Sequence, residues 1–181
     1  ITAAGSTVVV TGATTYTFNG SAQGPATHTK TGSTGAVTYS YVGTGSTTYG
    51  PSATPPTGVG TYQVIATLAA DANYSGATSA PYAFTITAAG STVVVTGATT
   101  FTYNASAQGP ATNTKTGSTG AVTYSYAGAG STTYGPSATP PTGVGTYQVI
   151  ATLAADANYS GATSAPYAFI ITAAGSTIVV T

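Results

Sequence analysis

Apolar and polar side chains alternate along GTYQVIATLAA, residues 60–70. Tyr62, Val64, Ala66 and Leu68 fall on one face, and Thr61, Gln63, Ile65 and Thr67 on the other. A period of two predicts a strand with one face buried. The same pattern sets Val37, Tyr39 and Tyr41 together in AVTYSYV, and Tyr82, Phe84 and Ile86 together in APYAFTIT. STVVVT, TTYTF, ATHTKT and STTY, rich in β-branched and aromatic residues, supply four more candidates. Turn formers separate these runs: Asn19-Gly20, Gly32 to Gly35, Gly43-Thr44-Gly45, Gly50-Pro51, Pro55 to Gly58 and Ser75-Gly76. No run of good helix formers is long enough to matter. About seven short strands with turns every 8–12 residues predict an all-β fold, an antiparallel, Ig-like β-sandwich.

The pattern then repeats. ITAAGSTVVVTG begins at Ile1 and again at Ile86, and ITAAGSTIVVT begins at Ile171, a period of 85 residues with no insertion. Residues 1–85 and 86–170 differ at seven positions: Tyr16/Phe101, Phe18/Tyr103, Gly20/Ala105, His28/Asn113, Val42/Ala127, Thr44/Ala129 and Thr85/Ile170. A period this long suits a small self-contained domain strung in tandem. The expected organisation is one sandwich over 1–87, a second over 88–172, and the first strand of a third repeat over 173–181. The chain then reads as a segment of a longer series. Only Ala88-Ala89-Gly90 separate the last strand of one repeat from the first of the next, so the repeats are expected end to end as a rod, each adding roughly 35–45 Å.

Charge is nearly absent: Lys30, Lys115, Asp71 and Asp156 are the only Lys, Arg, Asp or Glu, with His28 beside them. The surface must hydrate through Thr, Ser, Asn and Tyr, and copies of it do not repel one another. One lysine per repeat is too little cation for nucleic-acid recognition or for a basic membrane-surface helix. The apolar runs are strand-sized, so no membrane span is expected in this fragment. With no cysteine there are no disulfides or thiolate metal sites.

TYTFNGSAQGP, GAVTYSYVG, PTGVGTYQVIATLAADANYSGATS and the closing YAFTI resemble the MBG repeat, the mostly-beta, glycine-rich module of very large bacterial surface proteins. The resemblance covers the whole 85-residue unit in both copies. It implies an Ig-like extracellular building block at the bacterial cell surface, in adhesin-type chains, and it brings no catalytic motif.

Individual residues sharpen this only slightly. Gly-Thr-Tyr leading into an alternating strand resembles a tyrosine corner, a role that falls to Tyr62 and Tyr147. Catalysis lacks its parts: each repeat has one carboxylate where paired-acid hydrolysis needs two, and His28 becomes Asn113 in the second copy. No catalytic, cofactor-binding or metal residue is therefore assigned, no cofactor is expected, and the chain is read as no enzyme. Asp71 in AADANYSG is placed to bond to backbone amides two or three residues on; with only neutral oxygens nearby it is a poor calcium ligand. Some Ig-like modules of bacterial fibres form a Lys-to-Asn amide beside a buried acid. Lys30, Asp71 and Asn73, and their copies Lys115, Asp156 and Asn158, supply those residue types once per repeat. Asn19, Asn73, Asn104 and Asn158 open N-x-Ser sequons.

Near-identical copies multiply length or weak contacts rather than a chemical step. The expected function is a structural stalk or fibre segment of a repetitive extracellular protein, its partners being neighbouring repeats and copies of itself in a fibre. One alternative is a self-assembling filament subunit that exchanges strands such as 176–181 between repeats. Another is a repeated carbohydrate-binding module, with glycan contact through a row of exposed tyrosines.

Overall fold

A computed structural model of the chain, described over residues 1–178, contains strands and no helix among the described residues. It divides into two compact units, Ile1–Ala89 and Gly90–Thr181. The first holds β1 (Thr7–Thr11), β2 (Thr15–Thr17), β3 (Thr27–Thr31), β4 (Val37–Gly43), β5 (Gly60–Leu68), β6 (Ala77–Thr78) and β7 (Tyr82–Thr87). The second repeats them as β8 (Thr92–Thr96), β9 (Thr100–Thr102), β10 (Thr112–Thr116), β11 (Val122–Gly128), β12 (Gly145–Leu153), β13 (Ala162–Thr163) and β14 (Tyr167–Thr172).

Each unit is sandwich-like. In the first, β2, β7, β5 and β4 lie side by side in one sheet with β6 on the end of β5, and β1 pairs with β3 in a second, two-stranded sheet. The nine residues of β5 span the larger sheet, and their alternation buries Tyr62, Val64, Ala66 and Leu68 in a single row. Val8 and Val10 of β1 close over that row from the smaller sheet, while Val9 between them stays 56 % exposed. Most ladders are antiparallel, with one exception to the expected pattern. Strand β2 runs parallel to β7, Thr15 opposite Thr85 and Thr17 opposite Thr87, and β9 joins β14 in the same way.

The core centres on Phe84. Its ring stacks on Tyr62 at 5.4 Å between centroids and takes edge contacts from Tyr16 at 6.0 Å and Tyr41 at 6.2 Å. Gly24 lies flat against this cluster. A methyl group there would sit 3.0 Å from the edge of Tyr41 and 3.1 Å from Phe84, so the position admits no side chain without moving a ring. Phe169, Tyr147, Phe101 and Tyr126 rebuild the arrangement in the second unit.

One expectation changes. STTY, residues 46–49, is no strand. Gly45 and Gly50, at φ of +61° and +67°, bracket it with turns, and Tyr49 returns its carbonyl to the Gly43 amide at 2.9 Å. The seventh strand is instead the two-residue β6, in a stretch that reads as turn. At the other end, residues 173–178 form no strand, and 179–181 of the expected third-repeat strand lie outside the described residues.

Removing the central ring should open a cavity that three tyrosines cannot fill. Phe84→Ala is expected to destabilise the first unit by about 3–5 kcal/mol. In a urea titration the transition should split, with the second unit, whose Phe169 is intact, as internal reference.

Candidate functional site

The charged residues of each unit meet neutral partners at one end of the sandwich. The Asp71 carboxylate lies in the loop after β5. Its Oδ1 accepts from the amides of Asn73 and Tyr74, both at 2.9 Å, and its Oδ2 from the Thr34 amide at 2.8 Å and the Thr34 hydroxyl at 3.1 Å. The first two bonds shape its own loop; the other two tie that loop to the β3–β4 turn. Ser33, 2 % exposed, donates its hydroxyl to the Ala69 carbonyl at 2.6 Å and its amide to Ser6 Oγ at 2.9 Å. Ala4 bridges to the same loop in parallel, donating to the Asn73 carbonyl at 2.9 Å and accepting from the Ser75 amide at 2.8 Å. Three segments far apart in sequence thus meet at the Asp71 loop, two of them bonding to the carboxylate itself. These donors, the Thr34 amide first, lower the Asp71 carboxyl from its ordinary 3.8 to about 2, and the Thr119 amide leads the same effect on Asp156.

Lys30 reaches the same turn from another side, donating Nζ to the Gly35 carbonyl at 2.7 Å; Lys115 does so to Gly120. Asn73 enters the cluster through its backbone, bonding to Asp71 at one end and Ala4 at the other, and Asn158 donates to Asp156 in the same way. Lys30 and Asn73 are exposed and Asp71 half-buried. The donors around Asp71 hold it ionised, the opposite of the buried, protonated acid that amide formation between Lys30 and Asn73 would draw on. Both carboxylate oxygens are also committed to N–H and O–H donors. Among the described residues no group of three or more His, Cys, Asp or Glu could hold a metal ion, and no pocket opens.

The tyrosines act as struts. Tyr62 donates its hydroxyl to the Gly58 carbonyl four residues upstream at 2.7 Å, and Tyr147 to Gly143 at 2.8 Å, the bond-back that a tyrosine corner makes. Tyr41, 1 % exposed, reaches the Pro25 carbonyl at 2.9 Å, and Tyr82 the Gly12 carbonyl at 2.8 Å. Among the described residues the exposed tyrosines are Tyr74 and Tyr103, at non-equivalent positions of the two repeats. Each unit thus has one exposed tyrosine among its described residues, and a single ring is no row on which sugar rings could stack. Sequence reasoning missed the buried serines: Ser33, and Ser79, whose hydroxyl accepts from the Ala66 amide at 2.9 Å and donates to the Ala80 carbonyl at 2.9 Å. A serine inside a run of small residues carries no periodicity to mark it.

Two of the differences between copies keep their contacts, whereas Phe18, packed against the first core, is replaced by Tyr103, 42 % exposed. His28 Nδ1 lies 2.6 Å from Tyr39 Oη, and Asn113 Nδ2 donates to Tyr124 Oη at 2.7 Å. Phe101 meets Phe169 edge-on at 5.9 Å as Tyr16 meets Phe84.

The fold and this cluster define a tandem array of small all-β sandwiches. The MBG domain family matches the chain twice, over residues 6–90 and 91–175, and the chain belongs to that family. Neither a curated protein nor a solved structure matches the chain significantly.

The lowered carboxyl makes acid the natural probe. Because the folded state favours the ionised form, its contribution is fully present above about pH 4 and is lost as pH falls through about 2. Melting temperature should stay level from neutrality to about pH 5 and drop between about pH 4 and pH 2. Asp71→Asn with Asp156→Asn should melt lower at neutral pH and lose most of that acid limb, since the chain has no other Asp or Glu.

Proposed function

We propose that the chain is a spacer: a structural stalk or fibre segment of a repetitive extracellular, bacterial surface protein of the adhesin type, in which each repeat adds a fixed increment of length. The observation that carries this reading is the way the two copies differ. Seven substitutions leave the buried core residues, the Asp71 cluster and the Tyr39 hydrogen bond intact, so what is kept is the folded unit itself. Kinship with the MBG domain supports the surface setting. Repetition of a self-sufficient unit gives a quasi-one-dimensional array whose reach scales with copy number.

A self-assembling filament is the second reading. It is favoured by the two-stranded β1–β3 sheet, whose outward Val9, 56 % exposed, sits among threonines where soluble proteins often place charge. The exposed tyrosines do not favour the carbohydrate-binding alternative.

Arrays of two, four and six repeats, measured by small-angle scattering and electron microscopy, test the proposal. The longest dimension should grow by an equal step of roughly 35–45 Å per repeat, with monomeric particles. A dimension that stops growing sinks the spacer, and regular filaments at micromolar concentration favour assembly. Labelling of intact cells with an antibody to the repeat should give surface signal; signal only after lysis overturns the location.

A further inference from the structure

Strand β2 is the one partner that runs parallel to its neighbour in each unit's larger sheet, and that neighbour is the unit's last strand. Thr15, Tyr16 and Thr17 face Thr85, Ile86 and Thr87 in register. The ladder extends beyond them: the Thr85 amide donates to the Thr14 carbonyl at 2.9 Å and the Phe18 amide to the Thr87 carbonyl at 2.8 Å. A side chain adds to it, as Thr87 Oγ1 donates to the Tyr16 carbonyl at 3.0 Å. The core fixes both strands, since Tyr16 packs edge-on against Phe84 and Ile86 is fully buried.

The second unit keeps this arrangement through changed side chains. Ile170 donates to Thr99 at 2.9 Å, Tyr103 to Thr172 at 2.8 Å, and Thr172 Oγ1 to the Phe101 carbonyl at 3.1 Å. Three of the seven differences between the copies, Tyr16/Phe101, Phe18/Tyr103 and Thr85/Ile170, fall in this ladder. Its rungs survive because most of them are backbone.

Direction is what matters mechanically. Tension applied to a chain pulls a strand near its start toward the N-terminal side and its last strand toward the C-terminal side. When those two strands are parallel, the pull runs along the ladder and loads all its hydrogen bonds together. When strands are pulled from a shared end, the bonds break one at a time. We infer that the parallel β2–β7 pair, and β9–β14 in the second unit, is a shear clamp that holds each repeat folded under tension. The inference deepens the spacer reading and rests on it only for tension being the working load.

Single-molecule force spectroscopy on the full chain tests it, using cysteine handles in a sequence that has none. Ala13→Cys with Ala88→Cys pulls β2 and β7 from opposite ends of their ladder. Asn19→Cys with Ala88→Cys pulls the same two strands from one end. All three positions are exposed. Both proteins should show unchanged circular dichroism and similar melting temperatures, so that only the direction of load differs. The first pair is expected to unfold at a force on the order of threefold or more above the second at equal loading rate, because forced unfolding reads the barrier rather than the equilibrium stability. Equal forces, or a lower force for the first pair, overturn the clamp. That outcome would leave the spacer reading standing, since array length and cell-surface labelling decide the spacer independently.

Discussion

The row of alternating side chains on β5 is the constraint from which the rest of each unit follows. Tyr62, Val64, Ala66 and Leu68 all point to one side, so the strand must be covered on that side and flanked on both edges. Strands β4 and β7 supply the flanks, and Val8 and Val10 with the Tyr41 and Phe84 rings supply the cover. Because Tyr62 stacks on Phe84 and Phe84 meets Tyr16, the last strand and the short second strand are positioned by the same aromatic contacts that fill the core. A small domain without disulfides has little else to draw on.

Tyrosine suits this task for a reason beyond size. Its ring fills the core as phenylalanine does, and its hydroxyl reaches a backbone carbonyl that would otherwise be buried without a partner. Tyr41 satisfies the buried Pro25 carbonyl in this way, while Tyr82 reaches the Gly12 carbonyl at the surface. Where the partner is a side chain, the exchange of His28 for Asn113 shows that the hydrogen bond is retained and the ring is dispensable.

Much of this was legible in the sequence. Periodicity marked the faces of β4, β5 and β7 because each strand is buried on one side only, and the exact repeat fixed the architecture of the second unit from the first. The Asp71 loop was legible as a turn, since Asp with Asn two residues on is local chemistry. Its reach to Thr34 was not, because that contact spans 37 positions and depends on how the turns pack. STTY misled for a related reason: β-branched residues are written identically in a strand and in a loop whose flanking glycines force it to turn. The parallel placement of β2 left no trace in the alternation, which is the same whichever way a neighbour runs.

The neutral partners of the few charged groups carry one more consequence. Lys30 ends on a carbonyl oxygen and Asp71 on amides and a hydroxyl, so the cluster is held by short-range dipoles rather than by paired opposite charges. Dissolved ions have little long-range field to screen in such a molecule. The stability of a unit held in this way should change little as ionic strength rises, where one laced with ion pairs would lose some of its hold.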